Sequence, residues 1–233
     1  MSSTASSRTS SSLLAGALAL LAGCATHPEG NPLPTGVLDD FRHWSIEAEQ
    51  PAARTFLHHG ILDIDTPAGI TVWLTHELEG PVRIDFDATA VSAGGPNDQV
   101  SDLNVFWMAH NVDGTPVLSR RRGGSFAEYD DLETYYVGLG GNRNTTTRFR
   151  RYVGQPGNRP LLPEHDLSDP AVLLVPNRRQ RITLIAAGRH IEYRRDGMPL
   201  FVYEDTAPYT HGWFALRTTF SHLRIENVRI RRP

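Results

Sequence analysis

A single all-β sandwich is the fold this sequence predicts, on three observations. Apolar and polar residues alternate with period two in short runs, as in Val82-Arg83-Ile84-Asp85-Phe86-Asp87-Ala88, which puts Val82, Ile84, Phe86 and Ala88 on one face of a strand. Gly, Pro, Asn and Asp separate these runs at short intervals, as turns between strands require. No stretch of a dozen residues sustains an apolar 3.6 repeat, so no helix has a claim on the core. The chain has 233 residues, and sandwiches of ~200–250 residues form single domains.

Residues 1–23 read as a leader. Arg8 supplies a thin positive start, Leu13 to Leu21 a short apolar run, and Leu21-Ala22-Gly23-Cys24 the small-residue signature that precedes a lipid-modified cysteine. The run is too short for a transmembrane helix. The pattern resembles bacterial lipoprotein signals, which implies an exported chain anchored in the membrane through Cys24; Ala25 in the next position resembles the outer-membrane class. An ordinary secretory peptide cut near Ala25 is the other reading. Cys24 is the one cysteine in the chain, which excludes an internal disulfide and a multi-cysteine metal site. Residues 24–36, rich in Pro and Gly, suit a tether. The domain proper is expected over residues 37–233.

Within it, strands are expected at Trp44 to Glu47, Ile61 to Ile64, Ile70 to Leu74, Val82 to Ala88, Asn104 to Ala109, Tyr135 to Leu139, Thr145 to Tyr152 and Arg181 to Ala186. His190 to Arg194 and Met198 to Phe201 flank Asp196-Gly197, a strong hairpin signal. Gly212 to Thr218 and Leu223 to Ile230 close the chain.

Composition narrows the function. Acidic residues number 26 against 23 basic ones, so no positive field invites nucleic acid. Every basic residue is Arg, which removes lysine as a base, a Schiff-base former or a phosphate ligand. G-x-S-x-G, H-E-x-x-H and Walker motifs do not occur, nor does a strand carrying E-x-D-x-x-E for two-carboxylate glycoside hydrolysis.

Three polar clusters remain. In the first, a glycine-rich loop from Gly94 feeds a strand on which Asp102, Asn104, Phe106, Met108 and His110 share a face, with Trp107 turned to the core. Asp and Asn are poor strand formers; either they hydrogen-bond sugar hydroxyls on an exposed face or they cap the strand start. His110 is either a site residue or a solvated strand end. Asp98 and Asp102, with loop carbonyls, form an oxygen set suited to Ca²⁺; no other cofactor or metal is expected.

The second cluster is a hairpin, Thr134 to Tyr152, with Asn142-Arg143-Asn144 at its tip. Arg148, Arg150 and Tyr152 fall on one face of the returning strand, Phe149 and Arg151 on the other. Guanidinium forks bind carboxylates and would acidify the C5 proton of a uronate, leaving Tyr136, Tyr152 or His110 to act as base or acid. The same arginines would equally serve as surface partners of Glu128, Asp130, Asp131 or Glu133. Asn142 and Asn144 fit ligand contact and turn chemistry alike. In the third cluster, Trp213 and Arg217 alternate with Phe214 and Leu216, so Trp213 either stacks on a sugar or packs between sheets.

The blocks GGPNDQVSDLNVFWMA, TYYVGLGGNRNTTTRFRRY, RPLLPEHDL and PYTHGWFALRTTFSHLRIENVRI together resemble a bacterial family of lectin-like (concanavalin A-type) jelly rolls of unestablished function. The resemblance spans roughly Val37 to Arg232. Related families accompany pectin and rhamnogalacturonan degradation, which implies an acidic polysaccharide or oligosaccharide as partner. Alginate-lyase jelly rolls are similar in architecture, but their R-x-E-x-R, Q-I-H and Y-x-K-x-G motifs are not found, so their catalytic residues do not carry over. The expectation is a polysaccharide lyase acting by β-elimination, with a non-catalytic glycan-binding lipoprotein or a hydrolase of modified oligosaccharides as rivals. Arg148 and Arg150 would neutralise the uronate; Asp102, Asn104, Asn142, Asn144, Trp213 and Arg217 would bind it.

Overall fold

The computed structural model describes residues 1–2 and 32–233; the leader, Cys24 and most of the tether lie outside the described residues. Strands run in chain order as β1 (Trp44–Ala48), β2 (Arg54–His58), β3 (Ile61–Thr66), β4 (Ile70–Leu74), β5 (Leu78–Glu79), β6 (Val82–Ala90), β7 (Leu103–Asn111) and β8 (Leu132–Gly140). They continue as β9 (Thr146–Val153), β10 (Asp166–Leu167), β11 (Arg179–Ala187), β12 (His190–Arg195), β13 (Met198–Glu204), β14 (His211–Thr218) and β15 (Ser221–Arg231). They form two antiparallel sheets, one ordered β1-β4-β14-β7-β8-β9-β10 with β5 on β14, the other β13-β12-β11-β6-β15-β3-β2. This is the expected sandwich.

Alternation builds the layer between the sheets. Ile84 and Phe86 of β6, Val105 and Trp107 of β7, Phe149 of β9, and Phe214 and Leu216 of β14 are each almost fully buried and meet there. Burial of such side chains contributes roughly 1.5–3 kcal/mol apiece. Asp196 and Gly197 both take positive φ, 51° and 83°, the geometry of the two-residue turn that matches strand twist. β2, β5 and β10 were not foreseen. β2 is an edge strand with three of its five residues exposed, including Phe56, and an edge needs little apolar pattern.

One strand departs from strict alternation. In β7 the pairing with β8 shifts between Trp107 and His110, and Met108 sits at φ 53°. This bulge turns Met108 into the inter-sheet core beside Trp107 and returns Ala109 to the outer face. The expected common face of Asp102, Asn104, Phe106, Met108 and His110 is therefore broken after Phe106. His110 ends on the opposite side, where Nε2 meets Glu133 at 3.0 Å and the ring packs on Tyr209 and His211.

A second apolar cluster covers the outer face of the first sheet. Trp73, Phe106, Tyr136, Tyr152, Trp213 and Ala215 project outward, and residues 117–129, two short 3-10 turns, lay Val117, Leu118, Phe126 and Tyr129 over them. Arg122, inside this segment, donates to the carbonyls of Val117 (3.1 Å) and Glu128 (3.0 Å), to Asn111 Oδ1 (2.8 Å) and to Asp131 Oδ1 (2.9 Å). The segment thus carries its own polar centre and closes part of the face.

Candidate functional site

Two cross-strand rows on that face organise the site. Thr71, Arg217, Asn104, Gly138, Arg148 and Asp166 pair across β4, β14, β7, β8, β9 and β10. The next row runs Trp73, Ala215, Phe106, Tyr136 and Arg150. Because side chains directly opposite on neighbouring strands are near neighbours, one row is polar and the next aromatic. Their β8–β9 end opens into a cavity of about 490 Å³.

Asp102 and Tyr136 line this cavity, together with Arg143, Arg148, Arg150 and Arg159. Gly138 forms part of the floor; a Cβ there would lie 2.5 Å from Tyr136 Oη and 3.0 Å from Asn104 Oδ1, so the floor requires glycine. Phe126 makes one wall and Phe220, 54% exposed, sits at the rim. Asn142 also lines the cavity.

The arginines are held to different degrees. Arg148 grips Asp166 with two bonds, Nε at 2.7 Å and Nη2 at 3.1 Å. Arg150 donates one Nη1 bond to the Arg159 carbonyl. Arg159 pairs through Nε with Asp130 at 2.5 Å and lies 4.3 Å over the Phe126 ring. None of Glu128, Asp131 and Glu133 takes up Arg148 or Arg150: Glu128 accepts from the Gly123 N–H, Asp131 pairs with Arg120 and Arg122, and Glu133 with His110.

Asp102 is half-buried at φ 56°. Burial raises its carboxyl above the ordinary value; hydrogen bonds from Ser101 Oγ and Asn104 Nδ2, and the charge of Arg217, act against that rise. Tyr136 is pushed well above its ordinary value, first by burial and then by Tyr152 and Asp102, with Arg217 and Arg150 opposing. At neutral pH Tyr136 is therefore a hydrogen-bond donor, and Asp102 is the one carboxylate among the lining residues.

The remaining expected residues have other placements. Tyr152 is on the expected side of β9 but fully buried against Tyr136, its hydroxyl without a partner among the described residues. Trp213 is also on the expected face, but Ala109, Ala215 and the 117–129 segment enclose it, so it displays no ring for stacking. Arg217 is buried, donating to Thr71 Oγ1 (3.2 Å) and the Gly124 carbonyl (2.8 Å); desolvation lowers its pKa. It holds the covering segment and does not line the cavity. Asn104 orients Asp102, and its own Oδ1 is buried without a partner among the described residues. Asn144 bonds both ways to the Leu174 backbone, at 3.0 and 2.9 Å. Asp98 turns away from Asp102 toward His222 and the Ala93 and Gly95 N–H groups; among the described residues no three His, Cys, Asp or Glu side chains are grouped to hold a metal ion. Sequence reasoning did not find Phe126, Arg159 or Phe220, which come from loops with no periodicity to read.

Sandwich, row pattern and cavity together define a lectin-like jelly roll with a ligand-sized pocket on the outer face of one sheet. Solved structures share this fold. A protein of unknown function with galectin-like fold from Bacillus subtilis aligns over 83% of this chain and 91% of its own, with TM-score 0.64 and 14% identity. The carbohydrate binding module CBM66 from Bacillus subtilis aligns over 81% and 94%, with TM-score 0.54 and 9% identity. The Ca²⁺/mannose-bound exoplasmic domain of VIP36 aligns over 82% and 83%, with TM-score 0.52 and 9% identity. Residues 64–228 match the family model described as Domain of unknown function (DUF6250), and the chain belongs to that family. No curated protein sequence matches it.

Proposed function

We propose that the cavity takes an acidic glycan and cleaves it by β-elimination beside a uronate. One observation carries the reading: Asp102 and Tyr136, an acid–base pair of opposite character, line one cavity with four arginines. Arginine charge near the uronate carboxylate stabilises the enolate-like state formed as the C5 proton leaves. Asp102, its pKa raised by burial, is suited to accept that proton. The C5–H electrons form the C4=C5 bond, the C4–O bond breaks, and the departing oxygen takes the Tyr136 phenolic proton. Phe220, exposed at the rim, offers an apolar face for a sugar ring in place of the buried Trp213. The glycan-binding neighbours of the same fold support a sugar ligand, and the pectin-type resemblance in the sequence supports a uronate.

The test is ultraviolet absorbance of the 4,5-unsaturated uronate after the full-length protein, in detergent, meets a panel of pectic and other uronic-acid polysaccharides. A rise in absorbance is expected, cut at least ~10²-fold in Tyr136→Phe and in Arg150→Ala. A flat trace with retained binding in affinity electrophoresis would leave a glycan-capture protein and end the lyase reading.

The leader supports export and lipid anchoring, which would set this cavity at the bacterial cell envelope. Labelled palmitate is expected to enter the wild-type protein and not Cys24→Ala; equal labelling would refute the anchor.

A further inference from the structure

We infer that Arg143 anchors the anionic group of the ligand and so sets the site's preference for charged over neutral glycans. The inference rests on reading the cavity as an acidic-glycan site.

Its basis is the turn between β8 and β9. Asn142, Arg143 and Asn144 take left-handed backbone in succession, at φ 53°, 58° and 59°. Residues with a Cβ avoid this region; Asn tolerates it because its short amide bonds locally. Asn142 shows such a local bond, and Asn144 is held instead by a distant loop. Asn142 Nδ2 reaches Thr146 Oγ1 at 3.3 Å, and the Asn144 amide clasps the Leu174 backbone. Thr145 closes the turn with bonds from its N–H to the Gly141 carbonyl and from its hydroxyl to the Asn142 carbonyl, both 2.9 Å. The neighbours thus impose the conformation that Arg143 must adopt.

Arg143 gains nothing local in return. Among the described residues it has no hydrogen bond or ion pair, yet it lines the cavity. The other three lining arginines are committed, to Asp166, to the Arg159 carbonyl and to Asp130. Arg143 alone of the four keeps its whole guanidinium fork for a ligand. It can grip a carboxylate bidentately without breaking a protein contact. Strain imposed by surrounding structure and concentrated at a ligand-facing residue is characteristic of binding sites.

The strain and the ligand contact make opposite predictions for one substitution. Arg143→Gly relieves the backbone, so its Tm is expected to rise by about 2 °C or more. The same variant is expected to lose tenfold or more of its affinity in electrophoresis through polygalacturonate or alginate, with mobility in neutral galactan unchanged. Arg143→Lys, which keeps the charge and the Cβ but not the fork, is expected to fall between in affinity with no thermal gain. All measurements use the full-length protein in detergent. Unchanged acidic-glycan affinity in Arg143→Gly overturns the inference, as does a fall in its Tm. If wild type is retarded by neither acidic gel, the acidic-glycan reading itself fails, and the Arg143 role with it.

Discussion

Asp102→Asn is expected to lower the rate of β-elimination at least ~10³-fold while making the protein more stable near neutral pH. The rate loss follows from removing the group placed to accept the C5 proton; positioned bases are worth roughly 10²–10⁴. Asparagine preserves shape and can keep its links to Ser101 and Asn104, so binding is expected to survive. The stability gain follows from linkage. Burial raises the folded-state pKa of Asp102 above its ordinary value of 3.8. Between these two values the unfolded chain has released a proton that the folded chain retains, so Asp102 withdraws stability as pH rises through that window. Above it the full penalty persists, and Asn removes the penalty. In the wild type, kcat/KM is expected to rise with pH along an acid limb displaced upward from the ordinary aspartate value. Residual elimination above a tenth of wild type in Asp102→Asn would remove Asp102 from the reaction. A drop in Tm at neutral pH would remove the argument from burial.

Much of this site follows from strand alternation. The pattern in residues 145–152 places Arg148, Arg150 and Tyr152 opposite Phe149, and that is the arrangement in β9, with Phe149 in the inter-sheet core. Alternation, however, encodes which side of a sheet a residue faces and says nothing of what later covers that side. Trp213, Arg217 and Tyr152 face outward as expected, yet residues 117–129 and neighbouring rings enclose them. The bulge at Met108 carries no glycine or proline to announce it, so His110 could not be placed from the sequence. Arg159 opens the RPLLPEHDL block that resembles the lectin-like family, but its position in a loop concealed that it would reach Asp130 and stack on Phe126. Non-local contacts, not local pattern, brought it to the cavity.

Glu47→Ala is expected to produce the largest loss of stability, about 4 kcal/mol, or about 10 °C in Tm for a domain of this size. Glu47 lies on β1, buried beneath the covering segment. Its Oε2 accepts from Trp73 Nε1 and from the Tyr129 hydroxyl, both at 2.9 Å, and Oε1 from the Arg122 N–H at 3.1 Å. Alanine would strand three buried donors, each costing ~1–3 kcal/mol, and leave a cavity besides. Glu47→Gln is expected to cost less, about 2 kcal/mol, because its carbonyl can still serve Trp73 and Tyr129 while its NH₂ confronts the Arg122 N–H donor to donor. Since Phe126, which walls the cavity, belongs to the tied segment, faster amide exchange over residues 112–131 and a raised KM are expected in both variants, with Ala the more severe. Thermal unfolding and hydrogen exchange measure these effects together. A loss under ~1 kcal/mol in Glu47→Ala, or unchanged protection over 112–131, would show that apolar packing on Trp73 and Phe106 alone holds the segment. The expected order, wild type above Gln above Ala, instead makes the buried carboxylate the tie that keeps the sheet face folded down to a pocket.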